Sequence, residues 1–460
     1  MPMIPEAIFA MLACARIGAI HSVVFGGFAA KELGSRITDA RPKLIVSASC
    51  GIEPHKTLDY KVILDNAIAL SGVEGVKTLI KQRPEMPCHI CEGVDFDYEV
   101  EMNDAPHSDC VFVEGDHPLY ILYTSGTTGM PKGIVRDHGG TCVGLAFTME
   151  HIMGINKGDM YFAGSDIGWV VGHSFIVYGP LVVGCGTVLY EGKPHLPDAG
   201  QYWRLVQDYK VNGLYSSPTG LRCIRKADPE GKYIGQYDVS SLQNISMAGE
   251  RFDVHTFKWL NDMLPEGVLV NDNYWQTESG WPICCNYKNL HTFVSKPGSC
   301  TKPAPGWDVK ILDDDNCEIT EPRKMGKLSI KLPLPPSFML TLWGDDSKFT
   351  MKYLADSPGY YTSGDAGYVD EEGYVHVMTR LDDVINTAGH RLSTYQMEEV
   401  LIDHPDIVEA AVVSKMDDLK GEVPVGFVVC YPDSNPDPVE LEKLLVKKIR
   451  AEIGPIACLK

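Results

Sequence analysis

The most informative stretch of this sequence is Leu119-Tyr-Ile-Leu-Tyr123-Thr124-Ser125-Gly126-Thr127-Thr128-Gly129-Met-Pro-Lys132-Gly133. An apolar strand over residues 119–123 leads into a loop of hydroxyls, glycines and one lysine. Glycines allow backbone N–H groups to turn toward an anion, hydroxyls add donors, and the lysine adds charge. The loop therefore predicts a phosphate-binding site, although no Gly-Lys-Ser/Thr step of a Walker A loop closes it.

Size and charge limit what the protein can be. At 460 residues and 44% hydrophobic composition, the chain can bury large cores and should divide into two or more domains. Its net charge of −20 argues against nucleic acid and anionic membranes as partners. No run of about eighteen apolar residues occurs, so we expect no membrane span. The opening Met1-Pro-Met-Ile-Pro also lacks a signal-peptide pattern.

The 14 cysteines are scattered without a disulfide-like framework, which indicates a reducing compartment. One spacing could hold zinc: Cys88-x-x-Cys91 followed by His107-x-x-Cys110. The alternative is a variable surface connection with chance cysteines in a cysteine-rich chain, and we favour it.

Short apolar runs alternate with helical patterns over most of the chain, which predicts an α/β fold with parallel-rich sheets between helices. We predict an α/β core over residues 1–297, a small β-rich subdomain over 298–380 and a small α+β C-terminal domain over 381–460. Strands are predicted at His21–Phe25, Lys43–Ser47, Leu119–Tyr123, Met160–Ala163, Thr187–Tyr190, Gly213–Ser216, Ile245–Ala248, Val268–Val270, Val309–Leu312, Gly326–Lys331, Val408–Val413 and Val425–Cys430. Helices are predicted from Pro5 and at Asp59–Leu70, Asp198–Tyr209, Asp253–Leu260, Tyr395–Ile402 and Pro438–Ile449.

Five further motifs follow the phosphate loop in order. They are Gly168-Trp169-Val170-Val171-Gly172-His173-Ser174, Ala248-Gly249-Glu250-Arg251, Asp272-Asn-Tyr-Trp275-Gln276-Thr277-Glu278, Tyr361-Thr-Ser-Gly364-Asp365 and Arg380-Leu-Asp382-Asp383-Val-Ile-Asn-Thr-Ala388-Gly389-His390-Arg391. With the loop, they resemble the motifs of the AMP-forming short-chain acyl-CoA synthetases, over essentially the whole chain. The resemblance implies the adenylate-forming fold.

The resemblance also implies a reaction in two steps. A carboxylate attacks the α-phosphorus of ATP and expels pyrophosphate, and the CoA thiol then attacks the acyl-adenylate and expels AMP. ATP and CoA are then substrates, and Mg²⁺ is the implied cofactor. Because the first step brings two anions together, positioning and charge neutralisation must supply most of the catalysis.

Individual roles follow from the same resemblance. Thr277, Glu278 and Arg391 are implied as catalytic residues, with Glu278 as the candidate Mg²⁺ ligand. Lys132 would place its charge on the β- and γ-phosphates. The turn Ala248-Gly249-Glu250-Arg251 resembles the adenine-contacting turn of the family, Asp365 would accept the ribose hydroxyls, and Arg380 resembles the ribose-contacting arginine. The implied ATP and AMP site comprises Thr124, Ser125, Gly126, Thr127, Thr128, Gly129, Lys132, Gly249, Glu250, Arg251, Asp272, Trp275, Gln276, Thr277, Asp365, Arg380 and Arg391.

Four residues are expected to form the acyl pocket: Val170, Val171, Ala248 and Trp275. The resemblance makes Trp275 the wall that limits chain length. Where the acetate-preferring form commonly has valine and threonine, this chain has Ala248 and Val171, which gives more room and a less polar wall. One methylene in an apolar pocket discriminates by roughly 10–200-fold. We therefore predict propionate over acetate, with butyrate possible; compensating residues that shrink the pocket are the alternative.

The remaining implied roles concern the second step. Asp382 resembles the hinge residue of the mobile C-terminal domain, and Ala388 and Gly389 resemble the stretch that approaches the pantetheine of CoA. Gly26 and Gly27 are weaker candidates for the CoA nucleotide site, since Gly-Gly after a strand is more often only a turn.

The sequence departs from the family at both ends. It stops at Lys460, upstream of the segment in which the family carries a lysine for adenylation, and it begins abruptly. We expect a fragment or an alternative form that adenylates poorly. The competing functions are a non-catalytic isoform that binds nucleotide or acyl-CoA, and an adenylating enzyme with a different acceptor. The resemblance implies the mitochondrial matrix, with the cytosol as the alternative.

Overall fold

The computed structural model describes residues 1–124, 131–387, 390–417, 421–431, 434–454, 457 and 459. The chain divides into two compact units. Unit 1 comprises Met1–Pro297, Pro303–Gly306 and Pro333–Met351. Unit 2 comprises Gly298–Lys302, Trp307–Leu332 and Lys352–Lys460. Unit 2 thus contains most of the predicted β-rich segment together with the predicted C-terminal domain; the proposed boundary between those two stays a prediction.

The α-helices of the described residues are α1 Pro5–Arg16, α2 Ala30–Ala40, α3 Tyr60–Ser71, α4 Tyr98–Asp104, α5 His138–Phe147, α6 Val170–Gly172, α7 Gly179–Val183, α8 Gln201–Tyr209, α9 Pro218–Ala227, α10 Val254–Met263, α11 Asp346–Tyr353, α12 Thr394–Ile402 and α13 Pro438–Glu452. Several begin at a side chain that accepts from a first-turn N–H: Asp59 accepts from Val62 before α3, and Ser217 accepts from Gly220 before α9. None of the described helices combines the length and the apolar character needed to cross a membrane.

The strands are β1 Leu44–Ala48, β2 Cys50–Glu53, β3 Lys56–Asp59, β4 Lys77–Lys81, β5 Asp95–Asp97, β6 Pro118–Thr124, β7 Lys132–Asp137, β8 Met160–Ala163, β9 Gly186–Val188, β10 Gly213–Ser216, β11 Asn244–Met247, β12 Leu269–Asp272, β13 Cys284–Cys285, β14 Lys302–Pro303, β15 Val309–Leu312, β16 Gly326–Lys331, β17 Thr341–Leu342, β18 Tyr360–Val369, β19 Val375–Arg380, β20 Val384–Thr387, β21 His390–Ser393, β22 Ile407–Asp417 and β23 Gly421–Cys430.

Unit 1 is built on parallel sheets. Five parallel strands pair in the order β12-β11-β10-β8-β9, and β1-β4-β5 form a second parallel sheet. Every residue of β10, β11 and β12 is buried, which is the pattern of a sheet covered on both faces. Trp203 of α8 and Leu260 of α10 pack in the same core. The predicted alternation of strands and helices, and with it the α/β class, is confirmed.

Unit 2 contains two antiparallel sheets. One has the order β15-β16-β18-β19, and the other has the order β21-β20-β23-β22. The second sheet packs with α12 and α13 around a core that includes Ile385, Met397 and Ile449. The predicted strands Val309–Leu312 and Gly326–Lys331 occur with the expected bounds, and β18 pairs with β19 as a hairpin.

One predicted strand is wrong. Residues His21–Phe25 form only an isolated bridge, in which His21 pairs with Tyr120. The backbone of His21 bonds to Leu119 and Ile121 on β6, but the chain then leaves that edge, and the ring of Phe25 contacts Trp169. The apolar run therefore serves side-chain packing rather than a strand.

Candidate functional site

The predicted nucleotide and acyl motifs of unit 1 follow the carboxyl ends of the strands in its five-stranded sheet. Ala248 follows β11, and the segment that carries Trp275 follows β12. The backbone N–H of Asn273 donates to the carbonyl of Met247 over 2.8 Å, which joins these two segments. The crevice outside the carboxyl ends of parallel strands is where α/β proteins bind ligands. The fold therefore gathers motifs that lie far apart in sequence.

Trp275 has a fixed position at this edge. Its indole Nε1 donates to the hydroxyl of Tyr215 on β10 over 2.8 Å. Since β11 lies between β12 and β10, this hydrogen bond spans the end of β11, where buried Ala248 follows. The ring of Phe175 contacts Trp275 edge-on at 5.4 Å between centroids. Phe175 lies four residues after Val171 on the helical segment that continues from α6 through the π-helical stretch His173–Tyr178.

The turn after β11 carries the predicted adenine contacts. Gly249 has φ of 100°, a conformation that favours glycine. The side chain of Glu250 accepts from the Thr219 hydroxyl and from Arg222. Asp253, which accepts from the Thr256 N–H at the start of α10, lies 3.6 Å from Arg222. The first turn of α9 therefore holds the Glu250 side chain in place.

Asp272 ends β12 in a buried position. Burial raises the pKa of its carboxyl to about 7, against the lowering effects of the Arg251 charge and of the Phe252 N–H. A carboxyl that changes charge near neutral pH thus lies beside the predicted adenine turn. The sequence predicted Asp272 as a site residue but gave no sign of this pKa.

The turn that carries Glu278 is held by a buried cation. Arg136 of β7 is 2% exposed, and its guanidinium donates to the Glu278 carbonyl over 2.9 Å and to the Ser279 carbonyl over 2.8 Å. The Met339 N–H also donates to the Glu278 carbonyl. The Ser174 hydroxyl donates to the Gly280 carbonyl over 2.7 Å. The backbone around Glu278 is therefore fixed, and its carboxylate is of the donor type that Mg²⁺ prefers. The neighbouring Gln276 and Thr277 are half-buried on the same turn.

The predicted phosphate loop connects two antiparallel strands. Thr124 ends β6 and pairs with Lys132, which begins β7. Lys132 and Gly133 therefore belong to a strand, and the loop is shorter than the sequence predicted. Lys132 is buried. Ser125, Gly126, Thr127, Thr128 and Gly129 lie outside the described residues.

Unit 2 brings two predicted ribose residues together. Asp365 on β18 pairs with Arg380 on β19, with 3.3 Å between Oδ1 and Nη1. Asp365 is buried, whereas the Arg380 side chain is about half exposed. Gly364 has φ of 79°, and a Cβ there would lie 3.1 Å from the Arg380 guanidinium. The glycine therefore lets the arginine approach the strand.

The predicted hinge and CoA residues are only partly described. Asp382 lies in the 3-10 turn Leu381–Asp383, and Arg391 lies on β21. Ala388 and Gly389 lie outside the described residues. Gly26 and Gly27 are tightly packed: a Cβ would lie 2.3 Å from the Tyr60 hydroxyl at the first and 2.4 Å from the Phe25 ring at the second. Close packing alone accounts for both glycines.

The zinc-like spacing gains no support from the geometry. Among the described residues, no group of three or more His, Cys, Asp or Glu side chains is placed to hold a metal ion. Cys91 and Cys110 are exposed, and the His107 ring is 79% exposed beside Asp109.

Four residues at the site were not predicted from the sequence: Arg136, Phe175, Tyr215 and Arg222. Each acts by a contact with a motif more than twenty residues away, so no local spacing points to it. Arg136 offered one signal, a cation directly after the apolar pair Ile134-Val135 and close to the phosphate loop.

Comparison with known proteins places this chain and its fold in a class. Residues 1–341 match the AMP-binding enzyme family, and residues 396–460 match the AMP-binding enzyme C-terminal domain. The chain therefore belongs to the AMP-binding enzymes. An acetoacetyl-CoA synthetase from Streptomyces lividans shares the fold, with a TM-score of 0.87 and 23% identity over 100% of this chain and 69% of that one.

Closer relatives define the branch of that class. The chain is 47% identical to an uncharacterized protein of Pseudomonas aeruginosa, covering 100% of this chain and 73% of the relative. It is also 47% identical to the mitochondrial acyl-CoA synthetase short-chain family member 3 of Rattus norvegicus, covering 100% and 67%. A propionate–CoA ligase of Salmonella typhimurium is 45% identical over 93% of this chain and 68% of the relative. The chain is thus a short-chain acyl-CoA synthetase, an AMP-forming acid–thiol ligase that uses ATP and CoA.

Proposed function

We propose that the protein joins a short-chain carboxylate to CoA through an acyl-adenylate, with propionate favoured over acetate and butyrate accepted. The observation that carries the proposal is the fixed Trp275 indole across the end of β11, where Ala248 supplies only a methyl group. A fixed indole excludes long chains, while the small side chain leaves room for more than an acetyl group. The activity named for the Salmonella relative agrees with this preference.

In the first step, a carboxylate oxygen attacks the α-phosphorus, and the bond to the pyrophosphate oxygen breaks. Lys132, beside the phosphate loop, would hold the phosphates, while Asp365 and Arg380 would hold the ribose. Glu278 would hold Mg²⁺, which when bound supplies charge neutralisation on the phosphate oxygens. The fixed backbone of Glu278 would keep its carboxylate oriented without reorganisation during the reaction.

In the second step, the CoA sulfur attacks the acyl carbonyl, and the bond between that carbon and the AMP oxygen breaks. Asp382 would act as the hinge for this step, and Arg391 would contact the phosphate in the first. Both roles rest on the sequence resemblance.

The test separates the two steps. ATP–pyrophosphate exchange and CoA thioester formation are measured with acetate, propionate, butyrate and hexanoate. The proposal predicts the highest kcat/KM for propionate and a steep fall beyond butyrate. A higher kcat/KM for acetate would contradict the pocket assignment, and exchange without thioester would point to a different acceptor.

The compartment is a separate proposal. Relatives from Rattus norvegicus and other eukaryotes carry "mitochondrial" in their names, which supports the matrix, whereas the name of the Pseudomonas relative at the same identity gives no compartment; the cytosol is the alternative. Fractionation of cells that express the native gene distinguishes the two.

A further inference from the structure

The upper limit on acyl chain length in the proposed function depends on a tryptophan that does not move. Trp275 is only half-buried, so burial of the indole does not by itself fix its orientation. Contacts with neighbouring side chains must therefore hold it across the end of β11. The role of these contacts in substrate choice rests on the proposed function, because the indole is the wall of the same acyl pocket.

Two fully buried rings hold the indole. The hydroxyl of Tyr215 accepts from the indole Nε1 over 2.8 Å, and Tyr215 itself is 1% exposed. Phe175 stacks on Tyr215 at 5.0 Å between centroids and 14° between planes, and meets the indole edge-on. Tyr215 therefore has a fixed ring as well as a polar end aimed at Trp275.

The hydrogen bond between the Trp275 indole and the Tyr215 hydroxyl opposes rotation of the indole out of the pocket. Burial raises the pKa of Tyr215, so its phenol stays neutral throughout the physiological range. A tryptophan N–H that is shielded from water usually requires an acceptor. Any rotation of the indole that opens the pocket breaks this bond, so longer acids are excluded by the loss of the bond as well as by the bulk of the ring.

We propose that Tyr215 is a specificity-determining positioning residue: its hydroxyl holds the Trp275 indole across the end of β11 and thereby sets the upper limit of acyl chain length. Tyr215 is placed to act on substrate choice through Trp275. The ligand class affected is the carboxylates one to three carbons longer than propionate.

The test is Tyr215→Phe, which removes one oxygen atom and keeps the stacked ring. We expect the kcat/KM ratios of butyrate and valerate to propionate to rise about 3- to 10-fold, the range of one intramolecular hydrogen bond. The matched control is Tyr287→Phe, since Tyr287 is also buried and its hydroxyl donates to the Pro303 carbonyl. A general loss of packing would lower all rates in both variants and leave the ratios unchanged, which would overturn the proposal.

A double-mutant cycle shows whether Tyr215 acts through the indole. In a Trp275→Phe background there is no indole N–H, so Tyr215→Phe should change the chain-length ratios no further. An equal effect of Tyr215→Phe in both backgrounds would mean that the hydroxyl acts independently of Trp275, contrary to the proposal.

Binding supplies a second measurement that needs no turnover. Non-hydrolysable acyl-sulfamoyl adenosines with two to five acyl carbons are titrated by calorimetry into the 460-residue chain and its Tyr215→Phe variant. The variant should gain relative affinity for the four- and five-carbon analogues. If the parent chain binds none of the analogues, the proposed function fails with the inference. If the parent discriminates by length and the variant discriminates identically, only the role of Tyr215 is overturned.

Discussion

Arg136 lies against the turn that carries Glu278, and its Nη1 donates to the Glu278 carbonyl over 2.9 Å. This contact joins the strand that begins at Lys132 to the candidate Mg²⁺ ligand, although 142 residues separate the two in sequence. A buried guanidinium is costly unless its donors are satisfied, so the carbonyls of this turn and the arginine depend on each other. The backbone geometry of the proposed phosphate and metal residues is therefore coupled.

Gly280→Ala tests that coupling. A Cβ at Gly280 would lie 1.0 Å from Arg136 Nη2, and displacement of the guanidinium would break its bonds to both carbonyls. We expect the free energy of unfolding to fall by about 3 kcal/mol, from overpacking and from the positive φ of 74°. Urea denaturation measures the loss.

The matched control is Gly267→Ala. Gly267 also has a positive φ, of 88°, but a Cβ there meets nothing within 4 Å. This variant should lose only the ~1–2 kcal/mol of the backbone conformation. Equal losses in the two variants would show that the guanidinium moves freely and that the coupling is absent.

Ala248→Val should shift the acid preference. The two added methyl groups would enter the space at the end of β11, where Ala248 is 5% exposed. We expect the propionate-to-acetate ratio of kcat/KM to fall by about 10-fold or more. Ala199→Val, at a buried position in the core around Trp203, is the control and should affect stability without changing the ratio. An unchanged ratio in Ala248→Val would remove Ala248 from the pocket.

Arg222→Ala should weaken ATP binding selectively. Arg222 contacts both Glu250 and Asp253, whereas Arg225 contacts only Asp253 of these two. Loss of Arg222 removes the charged partner of Glu250 and leaves only its contacts with Thr219, so the KM for ATP should rise about 3- to 10-fold at constant KM for the carboxylate. Arg225→Ala provides the matched control with little change. If both variants raised the KM for ATP equally, the cause would be a less stable α9 and not the loss of the contact with Glu250.

The raised pKa of Asp272 predicts that the free energy of unfolding depends on pH. Its carboxyl has a pKa of about 7 in the folded chain, against an ordinary value of 3.8 for an aspartate. The folded state therefore holds the proton where the unfolded state has lost it. This group's contribution to stability is greatest below the unfolded-state pKa and falls as the pH rises toward 7. The decline is at most about 1.4 kcal/mol per pH unit.

The measurement compares unfolding free energies of the parent chain and Asp272→Asn between pH 5 and pH 8. All other groups titrate alike in both proteins. The unfolding free energy of the parent chain minus that of Asp272→Asn should therefore fall as the pH rises to about 7 and then level off. A difference that is constant with pH would contradict the raised pKa.

Much of the architecture was predictable because it depends on local periodicity. The strands Met160–Ala163 and Gly213–Ser216 have the predicted bounds, and the helix predicted over Asp59–Leu70 occurs as Tyr60–Ser71, with Asp59 as its capping residue. His21–Phe25 was predicted wrongly because its apolar side chains pack against a distant segment, and periodicity does not distinguish the two uses.

The sequence alone determined the family, the α/β class and the order of the chemical motifs, because each of these is written in short runs of adjacent residues. Only the tertiary structure decided which distant side chains hold those motifs: Arg136 at the Glu278 turn, Tyr215 at Trp275 and Arg222 at Glu250. The physical reason is that the fold brings distant segments into contact: parallel strands bring their carboxyl ends together at one edge of a sheet, and β7 of an antiparallel sheet places Arg136 against the Glu278 turn. The contacts made there depend on strand order and register, which no local pattern records.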